Sequence, residues 1–203
     1  MKSVSRIAVL GLGYVGLPLA VALAKHFRVT GYDIDSSRIS ELQAGRDRTR
    51  EVPAEALKAS NLDLTDQAEA LKGAELFIVA VPTPVNAAKE PDLAALEEAS
   101  RTVGSVLGPG AVVVFESTVY PGVTEVICGP LLEKTSGLRA GADFFLGYSP
   151  ERMNPGDRQH TLERITKVVA GQTPEVAALL KEVYGRLNGG NIFIARDIRT
   201  AEA

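Results

Sequence analysis

Short apolar runs recur along the chain, separated by longer stretches of mixed character. The runs are Ile7–Leu10, Val29–Tyr32, Leu76–Val81, Val112–Phe115, Phe144–Tyr148, Lys167–Ala170 and Ile192–Ala195. Runs this short and this apolar fit strands covered on both faces, as in a parallel sheet. Leu62-Asp63-Leu64 adds a short alternating strand. The intervening stretches carry apolar residues at helical spacing. They predict helices over Leu17–Lys25, from a Ser36 or Ser37 cap to Ala44, over Pro53–Ser60, and for a turn or two over Asp66–Lys72. A further helix, capped by Asp92, carries Leu93, Leu96, Ala99, Val103 and Leu107, and Gly108-Pro109-Gly110 breaks it. Helices over Gly122–Lys134 and Glu175–Tyr184 follow, the second with Pro174 at its first turn. Arg199–Ala203 reads as the start of another. Strand–helix alternation of this kind predicts an α/β fold with a doubly wound, mainly parallel sheet.

The first strand ends in Gly11-Leu12-Gly13-Tyr14-Val15-Gly16, and the second ends on Asp33. A G-x-G-x-x-G turn between strand and helix, with an acid about 20 residues on, is the dinucleotide-binding fingerprint of a Rossmann-like sheet. Each part has a physical task. Gly11 permits the sharp turn. Gly13 lets the backbone approach a pyrophosphate, and Gly16 lets helix and strand pack closely. The N–H groups of Tyr14, Val15 and Gly16 open the helix toward the phosphates. Asp33 is placed to accept hydrogen bonds from the adenosine ribose and would repel a 2′-phosphate, so the cofactor reads as NAD rather than NADP. Arg38, close by, pulls slightly the other way. The uncharged stretch Ile7–Ala24, preceded by Lys2 and Arg6, imitates a signal peptide or a membrane span. Three glycines, Pro18 and the continuation into Val29–Asp33 make it a retained, folded segment instead.

Composition narrows the classes further. Of 203 residues, 45% are hydrophobic, enough for a core without staples, and the net charge is −3. That balance suggests no nucleic-acid or anionic-membrane partner. A single cysteine, Cys128, rules out an internal disulfide framework and fits a reducing cytoplasm. It lies in the Gly122–Lys134 helical pattern and reads as a small buried residue. Two isolated histidines, His26 and His160, give a metal site little to stand on.

In a doubly wound sheet, ligands sit beyond the carboxyl ends of the strands. That rule selects Gly11–Gly16, Pro82–Val85, Glu116–Thr118 and Tyr148–Asp157. Pro82-Thr83-Pro84 is either a wall beside the cofactor or a rigid stop to the strand. In Glu116-Ser117-Thr118, Ser117 or Thr118 can contact the nicotinamide or hold a water, while Thr118 can equally begin the next helix and Glu116 can face solvent. Ser149-Pro150-Glu151-Arg152 sets a carboxylate beside a guanidinium, a pair able to move protons or hold a polar substrate, or simply a surface ion pair. Asn154-Pro155-Gly156 is a turn that can present both to a cleft.

Taken in order, Gly11–Pro18, Val81-Pro82-Thr83-Pro84, Glu116-Ser117-Thr118-Val119 and Ser149-Pro150-Glu151-Arg152 resemble the UDP-glucose/GDP-mannose dehydrogenase family, specifically its N-terminal NAD-binding domain. Tyr148–Asp157, with Gln159-His160-Thr161 after it, is similar to the UDP-N-acetylhexosamine 6-dehydrogenase branch. The glucose branch usually has Phe where Arg152 stands and a second glutamate where Pro155 stands. The resemblance implies oxidation of the C6 hydroxymethyl of a UDP-N-acetylhexosamine to a uronate with two NAD, through a cysteine-bound thiohemiacetal and thioester, for surface polysaccharide. It also implies roles. Gly11, Gly13, Tyr14, Val15, Gly16, Asp33, Arg38, Thr83, Ser117 and Thr118 bind the cofactor, with Thr118 also near the reacting water. Glu151 assists proton transfer and thioester hydrolysis, and Arg152 contacts the sugar or its developing carboxylate.

The same resemblance places the family's nucleophilic cysteine, its cleft lysine and asparagine and its nucleotide-sugar domain beyond residue 203. It divides the chain into an NAD-binding domain, residues 1–198, and the first turn of a central connecting helix, residues 199–203. This piece alone is then expected to bind NAD, not to turn over, and to be a monomer, whereas the longer protein is a homo-oligomer. Three alternatives stand beside it: a UDP-glucose or GDP-mannose 6-dehydrogenase, a dehydrogenase of the β-hydroxyacid type, and a non-catalytic NAD-sensing module.

Overall fold

The computed structural model describes residues 4–85, 89–151 and 165–203. The chain order is β1 (Arg6–Leu10), α1 (Gly16–Leu23), β2 (Arg28–Tyr32), α2 (Ser36–Gln43), α3 (Ala54–Ala59), β3 (Leu62–Thr65), a 3₁₀ turn (Ala68–Leu71) and β4 (Leu76–Val79). It continues with α4 (Ala94–Val106), β5 (Val112–Phe115), a π-helical turn (Thr124–Cys128), α5 (Gly129–Ser136), β6 (Phe145–Tyr148), β7 (Lys167–Gly171), α6 (Pro174–Gly185), β8 (Ile192–Ile194) and α7 (Ile198–Glu202). Among the described residues the strands form one sheet in the order β3-β2-β1-β4-β5-β6-β7-β8. Neighbours are parallel except β6 and β7, which pair antiparallel through Gly147–Gly171 and Tyr148–Ala170. The Rossmann-like α/β class expected from the sequence is the fold observed.

Why the strands read as unbroken apolar runs is visible in the packing. Alternate side chains point to opposite faces, and helices cover both. Ile7, Val9, Leu76, Ile78, Val112 and Val114 pack on one face against Leu17, Leu42, Leu57, Leu180 and Tyr184 of α1, α2, α3 and α6. Ala8, Leu10, Phe77, Val79, Val113 and Phe115 pack on the other against Leu96, Val103, Leu132 and Ile198 of α4, α5 and α7. No helix among the described residues is long and apolar enough to cross a membrane.

Four local expectations change. The cap position of α4 is Leu93, and the expected cap Asp92 stands one residue earlier, its carboxylate accepting the Ala94 N–H at 2.9 Å. The cap of α2 is Asp35, whose carboxylate accepts from the Ser37 N–H at 2.9 Å, while the Ser37 hydroxyl donates to the same oxygen at 2.6 Å. Ser36 and Ser37 lie inside the first turn of the helix, so the acid that precedes them holds the cap. The helix read as continuous over Gly122–Lys134 instead opens as a π turn before becoming α-helical at Gly129. The late strand Lys167–Ala170 runs against its neighbour rather than with it. Arg152, Asn154-Pro155-Gly156 and Gln159-His160-Thr161 lie outside the described residues.

Candidate functional site

The sheet order reverses direction between β1 and β4, and the carboxyl ends of those strands open a crevice. The glycine turn sits at its floor. Gly11 has φ +87°, and a Cβ there would lie 2.8 Å from the Ala80 carbonyl oxygen. At Gly16 a Cβ would lie 1.8 Å from the Gly11 carbonyl oxygen, so only glycine fits the closure of strand onto helix. Gly13 is the opposite case: a Cβ would meet nothing within 4 Å. Its surroundings are not needed for packing, and they lie at the N-terminus of α1, where no side chain caps the helix and no acid occupies the first turn. That is the electrostatic and steric setting a pyrophosphate requires.

Leu12, inside the turn, is held from two sides. The Asp33 carboxylate accepts its N–H at 2.8 Å, and the Arg38 Nε donates to its carbonyl at 2.9 Å. The second Asp33 oxygen accepts from the Asp35 N–H at 3.0 Å. Each carboxylate oxygen therefore keeps acceptor capacity for a further donor. Arg38 is 4% exposed and donates through Nη2 to Asp47 at 2.7 Å. Its Nη1 is buried with no hydrogen-bond partner among the described residues. Burial raises the Asp47 carboxyl, but the N–H of Val52, the Thr49 hydroxyl and the Arg38 guanidinium outweigh that and hold it below the usual range. Gly13, Asp33, Arg38, Val81 and Thr102 line a cavity of about 540 Å³, within the range of small-molecule sites. An open glycine, an acid with spare acceptors and a guanidinium with an orphaned N–H fit the adenosine half of NAD.

The next two loops are tied to each other. Thr83 donates its hydroxyl to the Thr118 carbonyl at 2.6 Å, and Ser117 donates to the Val81 carbonyl at 2.6 Å. Tyr148 OH donates to the Ser117 carbonyl at 3.2 Å. The structure thereby separates the two residues that the sequence left as alternatives. The Ser117 hydroxyl is buried between the loops, whereas Thr118 is exposed at the edge. Tyr14 is exposed at 54%, on the rim of the glycine turn.

The solvent-facing position left open for Glu116 is not the one it takes; it is 2% exposed. Phe115 packs with α4 and α5, so the next residue must point to the opposite layer. There Glu116 accepts from Lys167 Nζ at 2.7 Å and from the Tyr184 hydroxyl of α6. Lys167 Nζ also lies 3.3 Å from Glu151 Oε2 and 3.5 Å from the Pro150 carbonyl. Burial works against the Lys167 charge, but Glu116 and Glu151 more than offset it and hold the ammonium above the ordinary lysine range. Burial and then the Glu116 charge raise the Tyr184 phenol well above its usual value, so it stays a donor. Burial likewise pushes Glu116 upward, against the pull of Lys167. Reasoning from sequence missed Lys167 and Tyr184. A lysine opening an apolar strand was the one available signal.

Cys128 is buried, and burial pushes its thiol up to about 12, as befits an inert core residue. No group of three or more His, Cys, Asp or Glu able to hold a metal ion occurs among the described residues.

Comparison with known proteins follows the same lines. Residues 5–188 match the model of the UDP-glucose/GDP-mannose dehydrogenase family, NAD binding domain. The chain is 54% identical to protein CapL of Staphylococcus aureus over 97% of its own length and 46% of that protein's. It is 51% identical to the UDP-N-acetyl-D-glucosamine 6-dehydrogenase of Pseudomonas aeruginosa, over 98% of this chain and 47% of the relative. A solved UDP-D-ManNAc dehydrogenase from Pyrococcus horikoshii superposes with TM-score 0.87 at 39% identity, covering 97% of this chain and 48% of that one. The chain thus spans about half the length of the curated relatives it matches.

Proposed function

The chain belongs to the UDP-glucose/GDP-mannose dehydrogenase family, and on that premise we propose that it is the NAD-binding half of a UDP-N-acetylhexosamine 6-dehydrogenase. The whole protein would oxidise the sugar's C6 hydroxymethyl to a carboxylate, supplying a uronate for surface polysaccharide in the cytoplasm. Residues 1–198 would form the cofactor domain, and residues 199–203 would begin the helix that leads to the rest. The uninterrupted protein would be a homo-oligomer.

One observation carries this reading: the glycine turn, Pro82–Pro84, Glu116–Thr118 and Ser149–Glu151 all follow strands at one edge of one sheet. NAD, when bound, supplies the hydride acceptor for each oxidation. The chain's own residues do the rest. Gly13 leaves room beside the α1 N-terminus for the pyrophosphate. Asp33 accepts the ribose hydroxyls and disfavours a 2′-phosphate by like charge. Arg38 underpins the turn through the Leu12 carbonyl and lines the same crevice. Thr83 and Thr118 hold the edge at which the nicotinamide side would lie. Glu151 is the proton-handling carboxylate for alcohol oxidation and for the hydrolysis that yields the acid. Arg152 would meet the sugar or its new carboxylate. Family membership sets aside the β-hydroxyacid-type alternative.

The test is product identification. The natural, uninterrupted protein is incubated with NAD and, separately, UDP-N-acetylglucosamine, its galacto epimer and UDP-glucose, and products are weighed by mass spectrometry. A uronate from an N-acetylhexosamine is expected. A uronate from UDP-glucose alone would contradict the substrate class.

A further inference from the structure

We infer that Lys167 is a positioning residue for Glu151, fixing its carboxylate at the sheet edge from a support built through the core. The inference rests on the proposed role of Glu151 in proton handling.

The support begins with strand direction. Because β7 runs antiparallel to β6, its first residue lies at the edge where β5 and β6 end. Alternation along β7 puts Lys167 on the same face as Val169, the face covered by α6. The three ammonium protons then meet three acceptors: Glu116 Oε2 at 2.7 Å, Glu151 Oε2 at 3.3 Å and the Pro150 carbonyl at 3.5 Å. Two of these belong to one loop, so a single ammonium restrains both its backbone and its carboxylate. At the far end, the Tyr184 hydroxyl holds the other Glu116 oxygen, and the Lys167 ammonium lies 5.4 Å from the Tyr184 ring centroid. Lys167, Glu116 and Tyr184 are 3%, 2% and 1% exposed. The assembly is therefore embedded, with only Glu151 near the edge.

Stability alone does not account for this arrangement. A buried ammonium is already neutralised by one carboxylate, and even such a pair barely offsets its desolvation. A buried ammonium shared between a core carboxylate and a carboxylate at the strand ends is an arrangement that holds a functional group to a geometry. Among the described residues, the side-chain hydrogen bonds of Glu116 and Tyr184 join them to Lys167 and to each other.

The experiment uses steady-state kinetics of the natural, uninterrupted protein. Lys167→Met removes the ammonium but strands Glu116 in the core, so it can fail to fold. The double variant Glu116→Gln with Lys167→Met removes the charge at both buried positions and is the decisive one. Glu151→Gln serves as reference, and Tyr184→Phe deletes a single hydroxyl. The double variant is expected to lose roughly 10²-fold in kcat, as a misplaced group does, with KM for NAD and sugar within about twofold of wild type. Tyr184→Phe is expected to lower kcat by a smaller factor with the same KM pattern. Wild-type kcat in the double variant, or a loss carried by KM, would overturn the positioning role while leaving Glu151 in place. Wild-type kcat in Glu151→Gln would overturn the reading of Glu151 itself, and the role of Lys167 with it.

Discussion

Two glycines three residues apart, Gly13 and Gly16, do opposite things, and an alanine at each separates them. Gly16→Ala drives a methyl group to 1.8 Å from a backbone oxygen. It should cost at least about 1–3 kcal/mol, the usual range for forced overpacking, as read by urea denaturation. Gly13→Ala meets no atom within 4 Å, so stability should stay near wild type while NAD affinity, measured by calorimetry, falls about tenfold or more. Unchanged NAD affinity in Gly13→Ala would count against a pyrophosphate at that place. Asp47 gives a pH test. Its carboxyl sits below the usual range when folded, so it contributes stability above the unfolded value of about 3.9, and that stability is lost as pH falls through the folded value. In Asp47→Asn, the decline in thermal midpoint below about pH 4 should flatten. At this scale the glycines and Asp33 were legible because their chemistry is local. Glu116 was not: its direction depends on which layer covers Phe115, and its partners lie 51 and 68 residues away.

Elements were legible wherever period and punctuation agreed, which covered every strand and most helix starts. Strand direction was not, since apolar pattern is blind to it, and β7 is the case that matters: its reversal delivers Lys167 to the edge. The π turn at Thr124–Cys128 was also hidden, because its cause is remote. Glu202 of α7 is buried, and its carboxylate accepts the N–H groups of Gly122 and Thr124 at the start of that turn. A carboxylate 78 residues away thus does the work of a local cap. Glu202→Ala leaves those donors unsatisfied in the interior and should cost about 1–3 kcal/mol, with Glu202→Gln milder because it keeps one acceptor. Equal stability of Glu202→Ala and wild type by calorimetry would show that the turn caps itself.

At the scale of the whole molecule, a parallel sheet gathers what the sequence scatters. Residues 11–16, 82–85, 116–118 and 149–151 share one edge because each follows a strand that runs the same way. Sequence motifs located the edge, and the sheet order supplies the crevice between β1 and β4 that makes it a site. The chain spans about half the length of the curated relatives it matches, and the proposed function gives the rest of the chemistry to the longer protein. The most direct test of that account counts NADH formed per sugar consumed by the natural, uninterrupted protein with UDP-N-acetylglucosamine or its galacto epimer and excess NAD. Two NADH per sugar is the predicted result, with the uronate as product. One NADH per sugar, with an aldehyde as product, would contradict the four-electron oxidation and the hydrolytic role of Glu151.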